Sequence, residues 1–196
     1  TDAIVNVVRC FEGPNVIHVA GRVDPIADIE VIQTELCLAD LATVEKALQR
    51  YTKAAKSGND KEAAKLVSLL VPLQAALNEG KPARTVPVSK EDAPLLKSLC
   101  LITAKPAMFV GNVAEDGFDN NPLLERLREY AAAQNAPVVA ICAKIEAEMA
   151  EMSDEDRDMF LQEMGLEEPG LNRLIRAGFS LLGLQTYFTA GVKEVR

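Results

Sequence analysis

The sequence has no tryptophan, a single histidine and only four cysteines among its 196 residues. The cysteines are far apart and form no CxxC pair, which argues against a zinc site or a disulfide framework and favours reduced thiols in a cytoplasm. The one histidine, His18, cannot assemble a multi-histidine site, and we expect it to be a structural residue. We therefore expect no metal ligands within this chain. The cysteines are Cys10, Cys37, Cys100 and Cys142.

Long hydrophobic runs are also missing. Uncharged stretches such as 136–143 are short, whereas a membrane-spanning helix needs about 20 apolar residues, so we expect no membrane partner. The first residues carry no basic region, and the sequence predicts no signal peptide. The chain does not begin with Met and opens almost directly on a strand-like segment, 3–8, so we expect its natural beginning to be missing.

Positive charge is scarce in the second half of the chain, and the formal net charge is −8. Residues 115–168 hold 15 acidic and 4 basic residues. Such a block repels nucleic acid, and we expect no DNA partner. The overall composition, 48% apolar and 26% charged, is typical of a soluble globular protein with one large domain or one domain carrying an insertion.

Basic residues concentrate instead in the stretch 46–65, where six of them stand against two acidic residues. This stretch could bind phosphate groups with salt-sensitive affinity. The alternative is a solvated helix face with no partner. The basic residues are Lys46, Arg50, Lys53, Lys56, Lys61 and Lys65.

Short apolar, strand-like segments alternate with helical segments along most of the chain. This alternation predicts an α/β fold with a parallel sheet. A further extended segment is predicted at residues 16–19. The predicted strands are 3–8, 107–111, 137–142 and 185–189, and the predicted helices that follow them include 122–133, 153–164 with Ser153 as its cap, and 171–182.

A helical hairpin is predicted between the first two strands. Apolar residues recur at alternating spacings of three and four from near Asp28 onward and again after a tight turn at 57–60. Pro72 lies within the second helix and is expected to kink it. Residues 81–88 are predicted as a linker, and Ser89 as the cap of a short helix reaching about Leu99. The recurring residues are Leu41, Val44, Leu48, Tyr51 and Ala55, then Ala63, Leu66, Leu70, Leu73 and Leu77.

Ligands of an open parallel sheet bind at the carboxyl ends of its strands. The amide of Asn112, at one such end, presents a donor and an acceptor that match the N6/N7 edge of adenine. Phe11, at a neighbouring end, could lie against the base, and the turn 142–144 could offer backbone N–H groups. In the alternative interpretation, Asn112 is an ordinary turn former and Phe11 closes the core.

Five segments give the sequence a resemblance to a known family, the Obg-like ATPase (YchF) family of P-loop NTPases. The chain resembles the second half of the G domain in that family, and the resemblance covers essentially all of it. The segments are 1–11 (TDAIVNVVRCF), 28–36 (DIEVIQTEL), 112–118 (NVAEDGF), 165–172 (GLEEPGLN) and 184–196 (LQTYFTAGVKEVR).

The resemblance implies a cytoplasmic, ribosome-associated NTPase that prefers ATP to GTP. It also implies a coiled-coil insertion in the G domain and a TGS domain after it. Residues 1–27 and 94–196 would form a partial G domain, and residues 28–93 the inserted hairpin. The hairpin would contact the ribosome or its RNA through Arg50, Lys53, Lys56, Lys61 and Lys65.

The base-recognition motif departs from the Asn-Lys-x-Asp of typical G proteins. The matching positions are Asn112, Val113, Ala114 and Glu115, so valine replaces the lysine and glutamate the aspartate. The resemblance implies that Asn112 reads adenine, that Val113 contributes backbone, and that Glu115 shapes the loop against guanine. Phe11 matches the family's aromatic residue beside the base. Cys142 and Ala143 stand at the fifth motif, where backbone contacts are expected.

The phosphate-binding motif G-x-x-x-x-G-K-[ST] does not occur in these residues. The resemblance implies ATP or GTP with Mg²⁺ as cofactors of the intact protein. Because the phosphate-binding motif is missing here, we expect no catalytic residue and no nucleotide hydrolysis in this chain alone. Two other functions stay open at this point. One is a non-catalytic, ribosome-binding adaptor, and the other is a GTPase with ordinary guanine preference.

Overall fold

A computed structural model of the chain describes residues 1–13, 23–58 and 60–188. His18 and the predicted extended segment 16–19 lie outside these residues. Two compact units are distinguished, one formed by Thr1–Pro25 with Ala107–Arg196 and the other by Ile26–Pro106. In chain order the described strands and α-helices are β1 (Ile4–Arg9), α1 (Pro25–Gly58), α2 (Lys61–Asn78), α3 (Ala93–Lys97), β2 (Ala107–Asn112), α4 (Pro122–Ala133), β3 (Val138–Ile141), α5 (Ala143–Met149), α6 (Asp154–Glu163) and α7 (Gly170–Leu181).

The first unit is built on a parallel sheet in the order β1-β2-β3. Val8 lies opposite Gly111, and Asn112 is paired with Arg9 on one side and Ile141 on the other. Three predicted strands are thereby confirmed, and so is the α/β class of the fold. Because all three strands run in one direction, their carboxyl ends meet at one edge of the sheet.

Alternate residues of β2 face different helices, as the two-residue period of a strand requires. Met108 and Val110 pack in a cluster with Leu174 and Leu181 of α7. Phe109, on the opposite face, meets the ring of Tyr130 of α4 edge-on, with ring centroids 5.9 Å apart. The central strand is therefore buried on both faces, which explains its nearly continuous apolar sequence.

Gly111 lets α4 pack closely on the sheet. A Cβ at this position would lie 2.6 Å from Cδ1 of Leu124 and 3.3 Å from Cδ2 of Leu127, both on α4. Both leucines are fully buried. The absence of a side chain at Gly111 thus sets how near α4 can come to β2.

The second unit contains the predicted helical hairpin. The five recurring apolar residues of α2 are all buried, and Val44 of α1 packs in the same cluster as Leu70, Leu73 and Leu77. Asp60 caps α2 by accepting hydrogen bonds from the N–H groups of Glu62 and Ala63, each at 3.0 Å. α2 is continuous from Lys61 to Asn78 with Pro72 inside it.

The chain after the hairpin packs back on it. Leu96, Leu99 and Leu101 contact the hairpin cluster. The segment predicted as a linker contains a 3-10 turn at Ala83–Thr85, and Ala83 is buried. The second unit therefore ends at Pro106, and β2 begins at the next residue.

Two predicted elements differ in the structure. The short helix begins at Ala93 instead of after Ser89, because the Ser89 hydroxyl caps a preceding turn by accepting the Asp92 N–H at 3.1 Å. The predicted strand 185–189 is wrong over its described residues, 185–188, which form no strand. Tyr187 and Phe188 in this segment are 78% and 84% exposed. Aromatic residues were therefore not sufficient to form a strand here. None of the described helices combines the length and apolar character that a membrane crossing requires.

Candidate functional site

The candidate site lies where the three strands of the sheet end. Cys10, just after β1, donates its N–H to the carbonyl of Asn112 at 2.8 Å. Val113, just after β2, donates its N–H to the carbonyl of Ile141 at 2.9 Å. These bonds extend the strand pairing by one residue, so the segments after the strands start from fixed positions.

Asn112 joins the end of β2 to the start of α5. Its side-chain Oδ1 accepts the N–H of Ala143 at 3.0 Å. An amide oxygen has two lone pairs and the amide nitrogen two N–H groups, so Asn112 keeps both donors and one acceptor position. The orientation of the amide is therefore set by the protein before any ligand is present.

Phe11 is half-buried and is held by its neighbour Arg9. The guanidinium of Arg9 lies 4.7 Å from the centre of the Phe11 ring, and its Nε donates to the Phe11 carbonyl at 3.0 Å. A cation over one face stabilises the ring in this position. A base that stacked on Phe11 would use the opposite face.

Two of the predicted backbone donors at this edge are already engaged. The Val113 N–H is donated to Ile141, and the Val113 side chain is only 2% exposed. The Ala143 N–H is donated to Asn112. Cys142 is buried, so its side chain does not reach the surface. A backbone contact from Val113 would consequently use its carbonyl group.

Glu115 is paired with Lys144 across the edge. The hydrogen bond from Lys144, together with the charge of Glu115, raises the pKa of the Lys144 ammonium. Both side chains are solvent-exposed, so the pair contributes little to the free energy of folding. Its effect is local, because it holds the Glu115 carboxylate beside the first turn of α5.

Sequence reasoning gave no role to Asn121 or to Glu146. Asn121 caps α4 and also donates to the carbonyls of Cys10 and Gly117, each at 2.9 Å. Glu146 accepts the N–H groups of Gly170 and Leu171 at 2.7 Å and 3.2 Å and so caps α7 from α5. Only the Asn121 cap had a sequence signal, an asparagine before a proline-initiated helix.

Cys10 lies beneath this edge and is fully buried. Burial raises the pKa of its thiol to about 11, so the thiol is neutral at physiological pH. In the described ranges, no group of three or more histidine, cysteine, aspartate or glutamate side chains could hold a metal ion.

The basic residues of the hairpin are all exposed, but they are not equivalent. Lys65 forms an ion pair with Asp92, and this pair raises the pKa of Lys65. Lys53 and Lys56 line a shallow groove of about 750 Å³ between α1 and α2. The remaining residues of the predicted set are Arg50 and Lys61.

Curated proteins and solved structures match the chain over its whole length, whereas no protein-family model matches it. The "Ribosome-binding ATPase YchF" of Haemophilus influenzae is 55% identical over 196 residues, and that of Bacillus subtilis is 50% identical over 198 residues. The solved structure of the Schizosaccharomyces pombe YchF GTPase is 28% identical and superposes with a TM-score of 0.84. Each comparison covers 100% of this chain and 54% of the matched protein.

The parallel sheet with its inserted helical hairpin therefore has the fold of a P-loop GTPase. Over its whole length, the chain is homologous to the YchF proteins. It spans about half the length of the relatives it matches. Those relatives are named for ribosome binding and ATP hydrolysis, whereas the solved neighbour is named a GTPase.

Proposed function

We propose that the intact protein binds and hydrolyses a purine nucleoside triphosphate with Mg²⁺, and that this activity is coupled to ribosome association in the cytoplasm. The names of the bacterial relatives support both parts of this proposal. This chain supplies the base-recognition edge of the site. The phosphate-binding motif would be supplied by residues outside it.

We further propose that ATP is preferred to GTP. The observation that carries this proposal is the Asn112 amide, which is oriented by Ala143 and offers both a donor and an acceptor. Adenine presents the matching acceptor and donor at N7 and N6. Guanine would also need an acceptor for its own N–H groups. The carboxylate at the matching position, Glu115, instead forms an ion pair with Lys144.

The test is a binding titration of the intact protein with a fluorescent ATP analogue and Mg²⁺, competed by unlabelled ATP and GTP. We expect ATP to displace the analogue at lower concentration than GTP. Asn112→Ala should weaken ATP binding about tenfold to a hundredfold, the loss typical of one bidentate base contact. A matched control is Asn78→Ala, since Asn78 is exposed on α2 and bonds only within its helix.

Two outcomes separate the proposal from its alternative, an ordinary GTPase. Tighter binding of GTP than of ATP would support the alternative, which the name of the solved neighbour favours. Unchanged ATP binding in Asn112→Ala, beside an equally unchanged Asn78→Ala, would overturn the assignment of this edge to base recognition.

We propose that the ribosome contact uses Arg50, Lys53, Lys56 and Lys61 of the hairpin, with Lys65 partly neutralised by Asp92. Clustered exposed cations bind the phosphates of RNA with strong salt dependence. Changing Lys53, Lys56 and Lys61 to Glu in the intact protein should reduce co-sedimentation with ribosomes at low salt.

A matched control for this experiment changes three exposed lysines of the same unit, Lys81, Lys90 and Lys97, to Glu. The net charge change is the same, so a general electrostatic effect would weaken both variants equally. Equal co-sedimentation of the hairpin variant and the unchanged protein would contradict the proposed contact.

A further inference from the structure

One side chain, Asn121, connects three segments at the carboxyl edge of the sheet. Its Nδ2 donates to the Cys10 carbonyl after β1 and to the Gly117 carbonyl after β2, each at 2.9 Å. Its Oδ1 accepts the N–H groups of Leu123 and Leu124 in the first turn of α4, at 3.0 Å and 3.1 Å. The amide thus uses both of its donors and both acceptor positions.

The two carbonyls that Asn121 binds belong to segments of the candidate base site. Cys10 immediately precedes Phe11, the ring expected to lie against the base. Gly117 closes the loop that starts at Asn112, and its N–H is donated to the carbonyl of Ala114 at 2.9 Å. Asn121 therefore fixes the ring side and the amide side of the site relative to one helix.

The packing around this connection is tight. A Cβ at Gly117 would lie 3.1 Å from the backbone nitrogen of Ala114 and 3.3 Å from Nδ2 of Asn121. Any side chain there would press on the loop backbone and on the Asn121 amide together. The loop between Asn112 and Asn121 is consequently closed on itself at Gly117.

We propose that Asn121 is a positioning residue for base recognition, which sets the spacing between Phe11 and the loop that carries Asn112 and Glu115. This inference rests on the proposed function of the edge. A helix cap needs only an accepting oxygen, and many residues supply one. A helix cap does not require the two additional hydrogen bonds that Asn121 donates to loop carbonyls. A base site of fixed geometry does require them.

The variants that separate the two roles are Asn121→Asp and Asn121→Ser in the intact protein. Both residues are good helix caps, so the accepting role at α4 is retained. Aspartate cannot donate to either carbonyl, and serine is too short to span the same pair of carbonyls. The neutral serine variant also shows whether an effect of the aspartate variant arises only from its added charge.

Two ligands are titrated, ATP with Mg²⁺ and inorganic triphosphate with Mg²⁺, because triphosphate has no base. We expect both variants to bind ATP about tenfold more weakly, as the loss of two hydrogen bonds allows, with triphosphate binding unchanged. The control is Ser153→Ala, which removes the cap of α6 and touches neither segment. It should lower the melting temperature and leave the ratio of the two affinities unchanged.

Weaker binding of ATP in both variants, with triphosphate binding unchanged, supports a positioning role for Asn121. Equal weakening of ATP and triphosphate in both variants, or normal ATP binding in both while Asn112→Ala is impaired, overturns that role and leaves the proposed function intact. Failure of the unchanged protein to bind ATP, or an unimpaired Asn112→Ala variant, overturns the proposed function and this inference with it.

Discussion

Glu115 differs by one methylene group from the aspartate of typical G proteins, and the structure shows where that extra length goes. The carboxylate reaches Lys144 at the start of α5. Asn112, earlier in the same loop, accepts the N–H of Ala143, which lies two residues after the end of β3. The residues proposed to read the base are thus tied to the segment after β3 as well as to their own loop.

Shortening this carboxylate should change base selection. In the intact protein, we expect Glu115→Asp to raise the affinity for GTP relative to ATP about tenfold, because a shorter carboxylate that is no longer held by Lys144 can accept from guanine. Competition titration with the two nucleotides measures the ratio. An unchanged ratio would mean that Glu115 does not influence base selection, and Glu148→Asp, also near Lys144, is the matched control.

The residue types at this edge were predictable, but their partners were not. Asn112, Glu115 and Phe11 stand in short, local motifs that sequence reasoning can find. The bond between Asn112 and Ala143 joins residues far apart in the chain, and the Asn121 bond to Cys10 spans a still greater distance. Such bonds depend on the order of the strands, which no local pattern encodes.

At the scale of elements, the helical hairpin is held to the returning chain by a buried carboxylate on α1. Asp40 is 3% exposed. It accepts the N–H groups of Ile102 and Thr103 at 2.8 Å and 2.7 Å, and the Thr103 hydroxyl at 2.6 Å. Thr103 in turn accepts the Ala83 N–H at 2.9 Å. This network therefore joins α1 to the segments around Ala83 and Thr103.

Removing the carboxylate should destabilise the second unit. Asp40→Ala leaves buried donors without an acceptor, and we expect a loss of about 2–4 kcal/mol in the free energy of unfolding. Urea unfolding monitored by circular dichroism gives this value. Glu35→Ala, an exposed change on the same helix, should alter it by less than about 0.5 kcal/mol. Similar midpoints for the two variants would contradict the role of Asp40.

The ion pair between Lys65 and Asp92 gives the second unit a pH dependence. The hydrogen bond from Lys65 holds the pKa of the Asp92 carboxyl below its ordinary value of 3.8. A lowered folded-state pKa stabilises the fold above the ordinary value, and this stabilisation is lost as the pH falls through the lowered pKa.

The measurement is the melting temperature of the unchanged chain and of Lys65→Met at pH 7 and at pH 3. We expect the variant to melt lower at pH 7 and the difference to shrink at pH 3. A constant difference at the two pH values would show that the ion pair is not its cause.

Local patterns were sufficient for most of these elements. The spacing of Leu66, Leu70 and Leu73 identified the buried face of α2, and Ser153 marked the start of α6. The strand predicted at 185–189 failed over its described residues because a strand exists only when another backbone pairs with it. α3 started late because a turn competed for the Ser89 hydroxyl.

At the scale of the whole molecule, we propose that this chain supplies the base-recognition edge and the hairpin of a longer protein. Its relatives are about twice as long, since the match covers 54% of them. The described sheet brings Phe11 and Asn112 to one edge, while the phosphate-binding motif does not occur in the sequence. We therefore propose that base recognition and phosphoryl transfer are supplied by different stretches of the intact protein.

The isolated 196 residues should for that reason bind ATP weakly and not hydrolyse it. Phosphate contacts and Mg²⁺ provide most of the affinity and the transition-state stabilisation in P-loop enzymes. A phosphate-release assay on a preparation verified at 21.2 kDa tests this, with the intact protein as the positive control. Clear turnover by the isolated chain would contradict the expectation.

Recognition of adenine by Asn112 can be observed in a crystal structure of the intact protein with a non-hydrolysable ATP analogue and Mg²⁺. We expect the Asn112 amide within hydrogen-bonding distance of adenine N6 and N7, with the ring of Phe11 against the base. A base bound elsewhere, or held without contact to Asn112, would contradict it.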